Sequence, residues 1–119
     1  MLVYIDDVLG DLRFNKHLDA LFTRGRHLGI STFLTSQVFR GASSTLRKQI
    51  DILVCFRLNQ TEYNAVREEV IGADISAEEF DELYKRGTAA PHDFLVIKLK
   101  ERDPAMKFFR NYTHRLVIA

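Results

Sequence analysis

The sequence has a single cysteine, Cys55. One thiol forms no internal disulfide and no thiolate metal cluster, so a reducing, intracellular setting is expected. No apolar run approaches the roughly 18 residues that a membrane span needs. No signal peptide is visible, because Asp6 and Asp7 interrupt the first apolar stretch. From Ala20 to Ile50 there is neither Asp nor Glu, while Arg24, Arg26, Arg40, Arg47 and Lys48 all stand there. From Glu62 to Glu82 eight acids accompany one base, Arg67. One part of the surface should therefore be positive and another negative. These are either two solvated faces or, on the basic side, an edge turned towards an anion.

The 119 residues fit one domain, 1–119, with room for a core. Apolar residues at 46% and charged residues at 28% give a soluble globular balance. No repeat, low-complexity segment or linker is visible. Leu2 to Ile5 reads as a short buried strand. Residues 11–26 read as a helix, with Phe14, Leu18, Leu21 and Phe22 at helical spacing and Asp11 as its cap. Residues 30–36 and 51–58 read as strands, and residues 41–50 as a loop entering a short helix. A helix is expected over 61–71. A second opens at Ser76, where "SAEE" has the capping-box pattern, and ends at Gly87. Residues 93–100 and 106–112 should pair as a hairpin, with "RLVIA" as a last short strand.

Strands alternating with helices indicate an α/β layer with a mainly parallel sheet flanked by helices and a carboxyl-terminal β-hairpin. Ligands in such sheets bind beyond the carboxyl ends of the strands. Asp6, Asp7 and Gln37 all stand just past strand ends. Adjacent carboxylates there are costly unless they face water, a cation or donors. Side chains alternate along a strand, so the two acids separate in direction. One can then hold a hydrated Mg²⁺ while the other addresses a water. The plainer alternative has Asp7 capping the next helix or loop and Asp6 facing solvent. Gln37 can bond a γ-phosphate and a lytic water, or merely close a turn. His27 reads as a structural residue. His17, His92 and His114 have no ligand spacing with it, so no zinc site is expected.

"LVYIDDV", "LFTRGRHLGISTFLTSQ", "LRKQIDILVCFRLNQTEY" and "HDFLVIKLKERDPAMKFFRNY" occur in this order over nearly the whole chain. Together they resemble the second half of the viral genome-packaging ATPases of the poxvirus and giant-virus type. Those belong to the FtsK–HerA branch of P-loop ATPases. The resemblance implies that Asp6 is the Walker B aspartate holding Mg²⁺ and Asp7 the catalytic acid. It implies that Gln37 is the polar sensor. It also implies a ring in which a neighbour's arginine completes the site, with Arg26 and Arg47 the candidates and Arg24 and Arg40 weaker ones. ATP, double-stranded DNA and a capsid or portal are the implied ligands and partners. No membrane is implied. The host cytoplasm, its virus factory or the virion is the implied location.

No G-x-x-x-x-G-K-[ST] occurs in the sequence. The expectation is therefore the carboxyl-terminal portion of a P-loop ATPase domain, from a truncated frame or a split gene. It should bind nucleotide weakly by itself, without the backbone N–H nest. A missing neighbouring strand would leave sheet edges open, which predicts dimers or larger assemblies. Two other readings compete. One is a non-catalytic structural or interaction fragment. The other is a phosphorelay receiver-like module, which needs an acceptor Asp where the third strand ends in Arg57, Leu58 and Asn59.

Overall fold

The computed structural model describes residues 1–6 and 12–118. Asp7 and the expected helix cap Asp11 lie outside the described residues. The chain is a mixed α/β fold in two compact units, 1–50 and 51–119. It carries the expected parallel strand pair, the flanking helices and the carboxyl-terminal hairpin.

The first unit holds β1 (Leu2–Asp6), α1 (Leu12–Arg24), β2 (Ser31–Thr35) and α2 (Ser44–Lys48). β1 and β2 pair in parallel, from Leu2 opposite Ser31 to Asp6 opposite Thr35. A single 3-10 turn, Gly25–Leu28, links α1 to β2. It closes on Gly29 at φ +71°, a left-handed conformation that glycine adopts without a Cβ penalty. Leu18 of α1 and Leu46 of α2 are buried. A polar clip joins the same two helices: Ser43 Oγ donates to Asp19 Oδ1 (2.6 Å) and accepts from Leu46 N–H (3.1 Å). One hydroxyl thus caps α2 and ties it to α1.

The second unit holds β3 (Ile52–Cys55), α3 (Gln60–Val70), α4 (Ala77–Gly87), β4 (Leu95–Lys98), β5 (Phe108–Arg110) and β6 (His114–Leu116). Its sheet runs β3–β4–β5–β6, antiparallel throughout. Parallel pairing is therefore confined to β1 and β2. An apolar run such as Ile52–Cys55 encodes burial but not strand direction. Leu95, Val96 and Ile97 are all fully buried, as befits an inner strand covered on both faces.

Both halves of the "SAEE" capping box form: Glu79 N–H donates to Ser76 Oγ and Ser76 N–H to Glu79 Oε1. The β5–β6 connection is a tight turn closed by Thr113 N–H on the Arg110 carbonyl. Its central residues, Asn111 and Tyr112, have φ of 53° and 65°, as a type I′ turn requires.

The end of α4 lies directly on β4. A Cβ added at Gly87 would stand 2.8 Å from Leu95 Cδ1 and 3.0 Å from Leu95 Cβ. The Leu95 Cβ is fixed by the backbone, so rotamer changes cannot move it away. Gly87→Ala should therefore destabilise the chain by about 1–3 kcal/mol, the usual penalty for overpacking. A urea denaturation midpoint no lower than that of the unsubstituted protein would refute this contact.

Candidate functional site

β1 and β2 bring one sequence-predicted residue, Asp6, to the carboxyl end of a parallel pair. Asp6 is exposed, and its Oδ1 accepts a 2.5 Å bond from Thr35 Oγ1, its register partner. Opposite residues of a parallel pair project to the same face, so a hydroxyl opposite a carboxylate meets it directly. Tyr4 is two residues before Asp6 on that face. Its hydroxyl lies 3.3 Å from Thr35 Oγ1, and its ring stacks on Phe33 at 5.7 Å.

The adjacency of the Asp6 strand and the Gln37 strand is thus as the sequence implies. Gln37 lies two residues beyond β2, exposed, and makes no hydrogen bond to Asp6 among the described residues. A local hydroxyl turn shapes that exit: Val38 N–H donates to Ser36 Oγ (3.0 Å), which donates to the Val38 carbonyl (3.2 Å). Thr35 is the site residue that sequence reasoning missed. The signal was present in "TSQ", but only the strand register reveals that Thr35 faces Asp6.

Both arginines considered for action in trans bond backbone carbonyls of their own unit. Arg26 Nη2 donates to the Gln49 carbonyl at 2.7 Å, and Arg26 is exposed. Arg47 Nη2 reaches the Arg40 carbonyl at 3.0 Å and the Phe39 carbonyl at 3.5 Å. Its guanidinium carbon sits 4.9 Å from the centre of the Phe39 ring.

The chemistry of the donor set can be tested against the metal. Mg²⁺ commonly takes one or two carboxylates and fills its octahedron with waters and phosphate oxygens. An exposed carboxylate with one oxygen steadied by a hydroxyl suits that demand. A cage made of protein side chains does not exist here: no group of three or more His, Cys, Asp or Glu suited to a metal occurs among the described residues. Cys55 offers no nucleophile either. Its thiol is buried, and burial pushes its pKa up to about 12.

The sequence model described as Poxvirus A32 protein matches residues 1–76. That is more than half of the chain, and it includes Asp6, Asp7, Thr35, Gln37, Arg26 and Arg47.

The chain belongs to the poxvirus A32 protein family.

This relates it to the viral genome-packaging ATPases at the level of family. Comparison with curated proteins and with solved structures returns no match. The A32 match covers all of the first unit and ends at Ser76, the cap of α4. No helix among the described residues of this A32 family member is long and apolar enough to cross a membrane.

The second unit of the A32 chain carries a groove of about 550 Å³ lined by Arg57, Tyr63, Asp81, Tyr84 and Lys85, among others. Its polar groups serve the fold. Arg67 forks onto Asp81, with Nε to Oδ1 at 2.9 Å and Nη2 to Oδ2 at 3.2 Å, and the Tyr63 hydroxyl donates to Asp81 as well. Arg57 Nη2 donates to the Thr88 and Ala89 carbonyls (2.7 and 3.0 Å). The Tyr84 hydroxyl accepts from Leu58 N–H at 2.7 Å. α3, α4 and the exit of β3 are thereby clipped together.

The Arg67 and Tyr63 bonds hold the Asp81 carboxyl below the usual carboxylate range. A depressed folded pKa adds stability that is complete above the unfolded value, about 3.9. It is lost as pH falls through the folded value. Asp81 is half exposed, so the contribution is about 1 kcal/mol or less. The stability gap between the unsubstituted chain and Asp81→Asn should close as pH drops below about 4. Urea denaturation at several pH values checks it, and a gap that stays constant into strong acid would show that the carboxylate charge is not involved.

Proposed function

We propose that this chain supplies one side of the Mg²⁺–ATP pocket of a viral DNA-packaging motor of the FtsK–HerA type. The observation that carries the reading is the Asp6–Thr35 bond at the carboxyl end of a parallel strand pair, in a member of the A32 family. Asp6 then serves as the Walker B residue, holding Mg²⁺ with its position steadied by Thr35. When bound, the metal supplies charge neutralisation at the β- and γ-phosphate oxygens. Asp7 takes the role of the acid that orients and deprotonates the attacking water. Gln37, the central residue of the Ser36–Val38 hydroxyl turn, bonds the γ-phosphate or that water. Arg26, the more exposed candidate, is assigned the trans role, and Arg47 is the second candidate. The phosphate cradle comes from a segment outside these 119 residues, since none of them forms a P-loop motif. The assembled ring would drive double-stranded DNA towards a capsid or portal in the virus factory or virion.

The test is complementation. A segment bearing a family P-loop is supplied ahead of Met1 or as a separate chain, and Mg²⁺-dependent ATP hydrolysis is measured. Hydrolysis that appears on mixing and disappears with Asp7→Asn supports the reading. Hydrolysis indifferent to both Asp6 and Asp7 would remove it.

A second reading, a fragment that acts by association, has its own observation. β1 and β2 form a sheet of only two strands, too few for independent stability. Leu2, Tyr4 and Phe33 on one face are 71%, 61% and 52% exposed, so that face is available to a partner. A second copy pairing through an open edge would extend the sheet and set its own apolar side chains beside these three. Sedimentation of the chain at micromolar concentration should show a dimer or larger species, reverting to monomer with Tyr4→Lys and Phe33→Lys together. A monomer at all concentrations excludes this association.

A further inference from the structure

A second groove, of about 370 Å³, opens where the end of α4 meets the β5–β6 hairpin. Arg86, Arg110, His114 and Arg115 line it, with Ala89 and Leu116 as its apolar floor. Arg110 and His114 are register partners across the hairpin, so their side chains share a face. Arg86 reaches the same place from the last turn of α4, its Nη1 steadied by the Val117 carbonyl at 3.2 Å. Arg115, the register partner of Phe109, projects from the opposite face, and its Nη1 donates to the Met106 thioether sulfur, 3.5 Å away and a weak acceptor.

None of the three guanidiniums has a carboxylate within ion-pair distance among the described residues. The Asp93 carboxyl is drawn below its usual range chiefly by its bond from Asn111, and in smaller part by the charges of Arg110 and His114. Its oxygens are already engaged, Oδ1 by Asn111 Nδ2 (2.7 Å) and Oδ2 by Ala90 N–H (3.2 Å). The Arg86 and Arg110 guanidiniums at one groove, with the His114 ring beside them, repel each other and gain nothing from each other. An anion with several oxygens relieves that repulsion, and planar guanidiniums match phosphate geometry.

We infer that the groove between α4 and the β5–β6 hairpin binds the phosphate groups of a nucleic-acid backbone. The lining favours a polymer backbone over a free nucleotide. It offers no carboxylate or amide to hold a ribose or read a base edge, and its one ring is the His114 imidazole. Contacts to phosphate alone are indifferent to sequence and strongly salt-dependent. The inference deepens the packaging reading by naming a surface for the polymer. It needs neither Asp6 nor bound nucleotide, so the two fail separately.

Binding of a labelled random-sequence DNA duplex to the full chain, without Mg²⁺ or ATP, is followed by fluorescence anisotropy across salt concentrations. The double variant Arg86→Gln, Arg110→Gln should bind about tenfold or more weakly near 0.1 M salt, and its log–log salt slope should be shallower by about 2. Lys85→Gln, which removes a charge outside the groove, should leave the slope unchanged. The double Lys variant keeps the charges and should retain most of the affinity. Should the double Gln variant lose its circular dichroism signature, Arg110→Gln alone must still lower the slope by about 1. The inference is overturned by an unchanged slope in the Gln variants or by equal loss in the Lys variant. It is equally overturned if the parent chain does not bind the duplex, or if metal-free ATP displaces the duplex at matched phosphate concentration.

Discussion

In the complemented ATPase, Asp7→Asn is expected to lower kcat by about 10²–10⁴-fold, the range for removing a positioned general base. The Mg²⁺ concentration for half-maximal rate should stay unchanged. Asp6→Asn should do the opposite: the rate recovers at high Mg²⁺, but the half-maximal Mg²⁺ concentration rises. Thr35→Val should act in the same direction as Asp6→Asn, by about 10–100-fold, because it removes the hydroxyl that fixes the Asp6 oxygen. This split stems from position. Asp6 is the last residue of β1 and is tied to the neighbouring strand through Thr35, and Asp7 follows it in the sequence. A carboxylate fixed by a neighbouring hydroxyl suits a cation. If Asp7→Asn raises the Mg²⁺ requirement and Asp6→Asn lowers kcat at saturating Mg²⁺, the two roles are exchanged and the assignment is wrong.

Phe80→Ala should cost about 3–5 kcal/mol, the usual range for emptying an aromatic core position. Phe80 is 0% exposed, and its ring lies 5.9 Å from that of Tyr63 and 6.4 Å from that of Tyr84. It therefore holds α4 against α3 from the apolar side, while the Tyr63–Asp81–Arg67 cluster holds them from the wet side. Few routes are open for the cavity to collapse. The helices are capped by Asn59 and Ser76 and pinned at their ends. A loss this large is a sizeable fraction of a small unit's total stability. Urea denaturation monitored by circular dichroism measures it, and a loss under about 1 kcal/mol would mean that the ring is not packed as described.

Much of this was legible in the sequence where the signal is local. Ser76 and Glu79 form the capping box that their spacing implies, and Gly87 ends α4. The hairpin expected of residues 93–100 and 106–112 forms as the antiparallel pair β4 and β5, though Asn111 and Tyr112 leave the strand for the turn into β6. The parallel neighbourhood of β1 and β2 was implied by apolar runs separated by a helix. What did not show depends on contacts between distant residues. β3 pairs antiparallel with β4, and Cys55 rather than an Asp ends it. That pairing also disfavours the receiver-like reading, whose sheet is parallel. β3 stops at Cys55 although apolar Phe56 comes next, because Phe56 leaves the ladder to pack its ring on Phe94 at 5.3 Å. Thr35 meets Asp6 through a register that only the folded chain displays. The basic groove is assembled from Arg86, Arg110 and His114, which no motif groups together.

The central claim is that Asp6 and its neighbours on β1 and β2 face Mg²⁺–ATP. The most direct measurement substitutes Mn²⁺ for Mg²⁺ in the complemented, ¹⁵N-labelled protein and tracks paramagnetic broadening of backbone amides as Mn²⁺–ATP is added. The account predicts that the amides of Asp6, Asp7, Thr35 and Gln37 broaden first, and that Asp6→Asn weakens the effect. Amides at this strand end that stay sharp while others vanish would contradict it.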